Sequence, residues 1–357
     1  MAMALSLGRR GLGRTWPNPA VGCVTVKDGR VVGRGWTVDG GRPHAEPQAL
    51  AQAGADAIGA TVYVTLEPCS HVGQTPPCAQ TLIDAQVGHV VAALADHDPR
   101  VDGRGFDMLR AAGIPVTTGV LAERAAQDHK GFFLRCDDGR PMLCLKLASS
   151  FDGRIATATG DSQWITDAPA RRLVHLMRAT HDAVLIGGGT ARDDDPSLTV
   201  RDLGIDHHPV RVVASRNLDL PMSGKLAQTA AQTPLWLCHG PRVSEDLKSA
   251  WLGLGAILIE CRETAQGLDM RSVMNALGAK GITRVFCEGG GTLAAALLQA
   301  DLVDELIGFS AGVVIGSEGR SSIGPLGLTR LASAQRFTLT QTRQIGPDVL
   351  HVWNRAP

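Results

Sequence analysis

Short apolar runs punctuate the chain and alternate with stretches of helical pattern. In the first part the runs are Val21–Val26, Val31–Trp36, Ala60–Leu66, His89–Leu94 and Ile114–Val116, each of strand length. The stretches 44–54, 78–86, 104–112 and 121–134 read as helices. This alternation predicts an α/β layered domain with a largely parallel sheet. A second series opens with Met142–Ser149 and continues through Ala183–Ile186, Val210–Ala214, Leu235–Cys238, Ile257–Glu260, Arg284–Cys287 and Glu305–Phe309. Each of these is followed by a loop or a helical segment. Between the series lies Cys136-Asp137-Asp138-Gly139-Arg140-Pro141, which divides the chain into residues 1–138 and 139–357. No internal repeat and no low-complexity tract is present.

Each part is long enough for its own core. Thirty-five basic residues balance thirty-five acidic ones, so no net charge draws the chain to nucleic acid or an anionic membrane. No run of about twenty apolar residues offers a bilayer span. Arg9, Arg10 and Arg14 follow the short apolar start, whereas a signal peptide carries its charges first. The eight cysteines are too scattered for a disulfide framework, and Cys23, Cys136, Cys144, Cys238, Cys261 and Cys287 are expected as reduced core residues. A cytoplasmic enzyme is the expectation, with a homo-oligomer as its assembly and a small molecule rather than nucleic acid or membrane as its partner.

The other two cysteines belong to the candidate chemistry. His44, Cys69 and Cys78 supply three possible zinc ligands, and Glu46 stands beside them without being needed as a fourth. A zinc held this way keeps an open position that can take a water and lower its pKa toward neutrality. Glu46 would then handle the protons, as in zinc nucleobase deaminases. Those enzymes usually space the cysteines C-x-x-C, whereas eight residues separate this pair. A closed structural zinc would want a further ligand, for which His71 is the candidate, and two unrelated buried thiols would be the plainest alternative. The setting favours catalysis. Glu67-Pro68-Cys69 follows a predicted buried strand, and His44 opens a predicted helix in which Pro47 is tolerable only in the first turn.

Over essentially its whole length the chain resembles the bifunctional riboflavin-biosynthesis deaminase–reductase family. Thr15-Trp16-Pro17-Asn18-Pro19-Ala20-Val21-Gly22, His44-Ala45-Glu46 and the run from Pro68-Cys69 to Pro77-Cys78 are similar to its deaminase motifs, long cysteine spacing included. Lys146 to Arg154, Ser162-Gln163-Trp164-Ile165-Thr166, Asp193 to Arg201 and Glu288-Gly289-Gly290-Gly291-Thr292 are similar to its reductase half. The resemblance implies a cytidine-deaminase-like zinc domain followed by a dihydrofolate-reductase-like domain. It implies hydrolytic deamination of a phosphorylated diaminopyrimidinone, then reduction of its ribosyl group to ribityl with NADPH.

The same resemblance implies site residues. One zinc per chain would sit on His44, Cys69 and Cys78, with Glu46 as the catalytic acid–base, and Asn18 and His71 would meet the pyrimidine. The alternative for Asn18 is to cap the turn between Pro17 and Pro19. Ala148, Trp164, Thr190, Asp194, Ser215 and the run Gly290, Gly291, Thr292, Leu293, Ala294, Ala295 and Ala296 would line the NADPH site. Ser162, Arg178, Leu198, Arg201 and Glu288 would hold the reductase substrate, the arginines suiting its phosphate. Gly187-Gly188-Gly189-Thr190 and Gly289-Gly290-Gly291-Thr292 each follow a predicted strand, where glycines let backbone approach a pyrophosphate. No G-x-G-x-x-G followed by a ribose-binding acid is present, which argues against a standard Rossmann half. Ser215-Arg216 would read a 2′-phosphate.

Three positions depart from the family pattern: Thr37 where many members have His, Gln74 where many have Lys or Arg, and Asp98 where many have Asn. They bear on the deaminase phosphate contacts and leave the zinc chemistry untouched. The rival reading is a zinc deaminase of another nucleobase, tRNA bases included, fused to a reductase-like binding module. A base-stacking protein of that kind would carry a basic, aromatic face, and aromatics are only 4% here.

Overall fold

The structure, a computed structural model, describes residues 1–73 and 76–356; Gln74 lies outside them. It comprises two compact units, Met1–Gly139 and Arg140–Pro357.

The first unit runs α1 (Ala2–Gly8), β1 (Gly22–Lys27), β2 (Arg30–Trp36), α2 (Ala45–Ala53), β3 (Thr61–Val64), α3 (Cys78–Asp84), β4 (His89–Ala92), α4 (Arg104–Ala111), β5 (Val116–Thr117) and α5 (Ala122–Asp138). The sheet order is β2-β1-β3-β4-β5. Only β3, β4 and β5 are mutually parallel, while β1 is antiparallel to both β2 and β3. The expectation of a largely parallel sheet is therefore corrected. Its cause is Asp28-Gly29, a two-residue connection with φ of 48° and 74°, which folds β1 onto β2 as a hairpin and leaves no length for a crossover.

Helix α2 lies directly on β2. A β-carbon on Gly33 or Gly35 would come within 2.0 Å of Ala49 O or 2.1 Å of Ala45 O, so only glycine permits the approach. This contact fixes the start of α2, where His44 and Glu46 lie. Beneath it, Cys23, Val62, Val64, Val90 and Ala92 of the strands pack with Ala49, Leu50, Leu82, Leu109 and Phe132 of the helices. Gly139, at φ 69°, ends α5 in a left-handed cap.

The second unit runs β6 (Met142–Ser150), β7 (Arg154–Ala156), α6 (Ala168–Ala179), β8 (Ala183–Gly187), α7 (Gly188–Asp194), β9 (Val210–Ala214), α8 (Lys225–Gln228), β10 (Leu235–His239), α9 (Glu245–Gly253), β11 (Ile257–Glu260), β12 (Glu263–Thr264), β13 (Gly267–Leu268), α10 (Met270–Ala279), β14 (Arg284–Gly289), α11 (Gly291–Gln299), β15 (Glu305–Ala311), β16 (Arg320–Ser321), β17 (Phe337–Ile345) and β18 (Asp348–Arg355). Nine strands form one sheet in the order β11-β10-β9-β8-β14-β6-β15-β18-β17, and β12-β13 and β16-β7 make small ribbons. The strands from β11 to β15 pair in parallel. Their near-continuous apolar sequences suit strands covered on both faces. The hairpin β17–β18 closes one edge antiparallel to β15.

Buried ion pairs and caps knit the strand starts. Arg140 meets Asp304 through Nη1 at 2.7 Å and Nη2 at 3.0 Å, and Asp304 also accepts from Leu143 N–H, so the head of β6 is tied to that of β15. Asp182 accepts from the N–H and hydroxyl of Thr283 and from Arg284 N–H, tying β8 to β14. Next to it, His181 is buried with Nδ1 2.7 Å from Met177 O and Nε2 3.2 Å from the Cys144 thiol. Burial, aided by the Arg284 cation, pushes His181 down to about 3.

The unfolded chain therefore takes a proton near pH 6.5 that folded His181 refuses, so stability is full above that value and declines as pH falls toward 3. Between pH 7 and pH 5 this one residue should cost about 2 kcal/mol. The urea midpoint of the wild type should fall over that interval by more than that of His181→Gln. Identical falls in the two proteins would show that His181 is not the group responsible.

Candidate active sites

In the first unit two helix starts and one strand end converge. His44 is the extended residue before α2 (φ −69°, ψ 171°), Cys78 is the first residue of α3, and Cys69 lies in the loop that leaves β3. His44 Nδ1 lies 3.3 Å from Cys78 Sγ and 3.7 Å from Cys69 Sγ, and the three ligand atoms are all within 4.8 Å of one another. Tetrahedral zinc, with Zn–N about 2.1 Å and Zn–S about 2.3 Å, has ligand-to-ligand edges of about 3.6–3.8 Å, so the set fits. Two helix N-termini also favour anionic ligands here.

The electrostatics agree. The hydrogen bond from Cys78 brings Cys69 down to about 4, helped by His44 and by the Cys78 N–H at 3.3 Å, while the same thiol pairing and burial push Cys78 up. A dication among these ligands would reverse the second shift, since a coordinating thiol is deprotonated outright. Glu46 is 3% exposed in the first turn of α2 and hydrogen-bonded to the Cys78 side chain. Burial, then the Cys69 charge, pushes it up to about 7, within reach of both giving and taking a proton near neutrality.

Around this centre, Asn18 donates through Nδ2 to Gly41 O at 3.0 Å, which anchors it beside the segment leading to His44 and leaves Oδ1 as its acceptor. His71 has its Nδ1 buried with no partner among the described residues. The other two departures are taken up by the chain itself. Thr37 Oγ1 accepts from Val21 N–H at 3.0 Å, and Asp98 pairs with Arg100 through Nε and Nη2.

In the second unit, β8 and β14 are neighbours, so the two glycine turns at their carboxyl ends lie side by side. Thr190 Oγ1 donates to Gly289 O at 3.4 Å. The space a β-carbon would fill is open at Gly189 and Gly289, and the turns lead into α7 and α11. Open backbone at two helix starts suits the pyrophosphate of a dinucleotide. Within 290–296 the contribution is uneven. The Ala294 N–H already bonds Gly290 O, and Leu293, Ala294 and Ala295 are buried in packing. The donors with no partner inside the helix are therefore at the first positions, Gly291, Thr292 and Leu293. Trp164 is 67% exposed with the Arg171 guanidinium 4.6 Å from its ring centre, and Asp194 is exposed at the end of α7.

Two of the expected contact residues already have partners within the chain. Ser215 is buried, and its hydroxyl donates to Asp219 Oδ1 at 2.9 Å, while its neighbour Arg216 is exposed. Arg178 gives Nε and Nη2 to Glu288 at 2.5 and 3.0 Å and Nη1 to Thr199 O at 2.8 Å. Burial works to raise Glu288, but the Arg178 cation outweighs it and holds the carboxyl below its usual range. Arg178 thus fixes Glu288 and the 198–199 segment, whereas Arg201 is exposed. Leu198 has its side chain buried, and Ser162 is half-buried ahead of α6. Lys146 lies on the same face of β6 as Ala148, two residues on, and its charge acts on Glu288. Burial pushes Lys146 down.

A zinc-type deaminase centre in one unit and a nucleotide-accepting parallel sheet in the other define the class: a two-domain deaminase–reductase. Residues 1–94 match the cytidine and deoxycytidylate deaminase zinc-binding region, and residues 141–351 match the RibD C-terminal domain. The riboflavin biosynthesis protein RibD of Escherichia coli (strain K12) is 44% identical over 363 residues, spanning 99% of this chain and 98% of its own. The Aquifex aeolicus protein of the same name is 37% identical, over 99% and 97%. Acinetobacter baumannii RibD has a TM-score of 0.89 at 37% identity, covering 100% of this chain and 98% of its own. The diaminohydroxyphosphoribosylaminopyrimidine deaminase/5-amino-6-(5-phosphoribosylamino)uracil reductase of Thermotoga maritima has a TM-score of 0.86 at 32% identity, covering 100% and 97%. The chain belongs to the RibD family of riboflavin-biosynthesis proteins, a bifunctional deaminase and reductase with the two folds the motifs implied.

Proposed function

We propose that the first unit hydrolyses the 2-amino group from 2,5-diamino-6-ribosylamino-4(3H)-pyrimidinone 5′-phosphate and that the second reduces the ribosyl group of the product to ribityl with NADPH. The convergence of His44, Cys69 and Cys78 beside buried Glu46 carries this reading. Zinc, when bound by those three residues, supplies Lewis acidity and an activated water. Glu46 takes in turn the two protons that the water must lose and hands one to the ring nitrogen and one to the departing ammonia, while Asn18 Oδ1 and His71 orient the pyrimidine. In the second unit the glycine turns hold the dinucleotide, and Trp164 and Ala148 line its path. Glu288, set between Arg178 and Lys146, orients the sugar, and Arg201 meets the phosphate. NADPH supplies the hydride.

The deciding experiment incubates the full chain with the diaminopyrimidinone phosphate, with and without NADPH, and identifies products. Ammonia and the deaminated ribosyl compound are expected without NADPH, and the ribityl compound with it. Recovery of unchanged substrate from zinc-loaded protein would overturn the reading.

Assembly as a homo-oligomer belongs to the same reading. The edge strand β17 is exposed along almost its whole length, an open ladder that a second copy would cover. Among the described residues no helix is long and apolar enough to cross a membrane. The eight cysteines are free thiols, which supports a reducing, cytoplasmic setting.

A further inference from the structure

Glu67 lies two residues before Cys69, is 3% exposed, and belongs to neither the ligand set nor the proton path. Its carboxylate gathers four backbone N–H groups. Oε1 accepts from Gly105 at 2.8 Å and Phe106 at 3.3 Å, and Oε2 accepts from Gly103 at 3.0 Å and Asp96 at 3.2 Å. The first three belong to the start of α4, whose N-cap, Gly103, has no side chain to satisfy them. The fourth belongs to the loop that leaves β4. A β-carbon on Gly105 would stand 2.0 Å from Pro68 O, so α4 is pressed against the Glu67-Pro68 backbone itself.

Cys69 therefore leaves a point held from one side by Glu67. From the other, its carbonyl accepts from Ala79 N–H at 3.2 Å and its sulfur from Cys78 N–H at 3.3 Å. The described residues of the loop carrying the ligand have no regular secondary structure of their own, so these bonds decide where Sγ stands relative to His44 and Cys78.

We propose that Glu67 is a positioning residue of the deaminase centre: by clamping the β3 end to the start of α4 it fixes the place of the Cys69 sulfur and so sets the affinity for zinc. The inference rests on the metal site described above. Groups that orient a metal ligand without touching the metal typically contribute about 10–100-fold in affinity. Glutamine is the informative replacement, because its NH2 would face two N–H donors where a carboxylate oxygen now accepts.

The measurement is the zinc dissociation constant of the full chain by competition with a chromogenic chelator, with reductase activity as the check that the other unit is intact. Leu109→Ala is the control, since it removes a buried side chain from the same helix without touching the clamp. Glu67→Gln should bind zinc about 10–100-fold more weakly than wild type, and Leu109→Ala should bind it as wild type does. If Glu67→Gln does not fold, Glu67→Asp, a methylene too short to reach all four donors, is read in the same assay with the same expected loss. Unchanged affinity at position 67, or an equal loss in Leu109→Ala, would overturn the proposal alone. A wild type that takes up no zinc would overturn the metal site and the proposal with it.

Discussion

Glu46→Gln should lower deamination by about 10²–10⁴-fold while zinc stays bound and reduction of pre-deaminated substrate continues. Glutamine matches glutamate in shape but cannot carry a proton from water to ring. The ligands His44, Cys69 and Cys78 are untouched by the change, and the Gln side chain can still meet Cys78, so the pocket should survive. Burial is what makes the effect large. At 3% exposure no bulk base reaches the position of the carboxylate, so nothing from solution takes over its proton transfer. The checks are zinc content by atomic absorption, ammonia release, and NADPH oxidation with deaminated substrate. Equal loss of both activities would mean that the two sites are not independent; loss of zinc would mean that Glu46 supports the ligands rather than the chemistry.

The deaminase centre was legible because its chemistry sits on local signals. A strand followed by Glu67-Pro68-Cys69 and a helix opening at His44 could be read directly, and the ligands they carry meet in the fold. Relations that depend on a distant partner were not legible. The Asp28-Gly29 turn was present in the sequence, yet apolar runs alone do not tell a hairpin from a crossover. β17 carries no buried apolar run, because ladder pairing with β18 holds it rather than buried side chains. Glu67 looked like part of a motif, and only the fold brings Gly103, Gly105 and Phe106 to its carboxylate. Ser215 and Arg178 carried functional groups suited to phosphates, and that Asp219 and Glu288 also meet them shows only in the fold.

That last difference separates the two arginines of the reductase half. Arg201→Ala should raise the Michaelis constant for the phosphorylated substrate about ten- to a hundredfold and leave a dephosphorylated analogue nearly unaffected, since a charge-assisted bond is worth about 1.5–3 kcal/mol only when its partner is present. Arg178→Ala should be more severe and should not distinguish the substrates. It leaves the buried Glu288 carboxylate without the cation that holds it and releases Thr199 O, and breaking a buried pair from one side costs about 3–5 kcal/mol. The expected result is a loss of about 10²-fold or more in kcat/KM, much of it in kcat, because a displaced Glu288 misorients every substrate alike. Arg178→Lys should recover little, for an ammonium cannot reproduce the two-point contact to one carboxylate together with the bond to Thr199 O. Steady-state kinetics with both substrates decide the matter. If Arg178→Ala spared the dephosphorylated analogue as Arg201→Ala does, Arg178 would be a phosphate ligand after all, and its ion pair with Glu288 would have to open on binding.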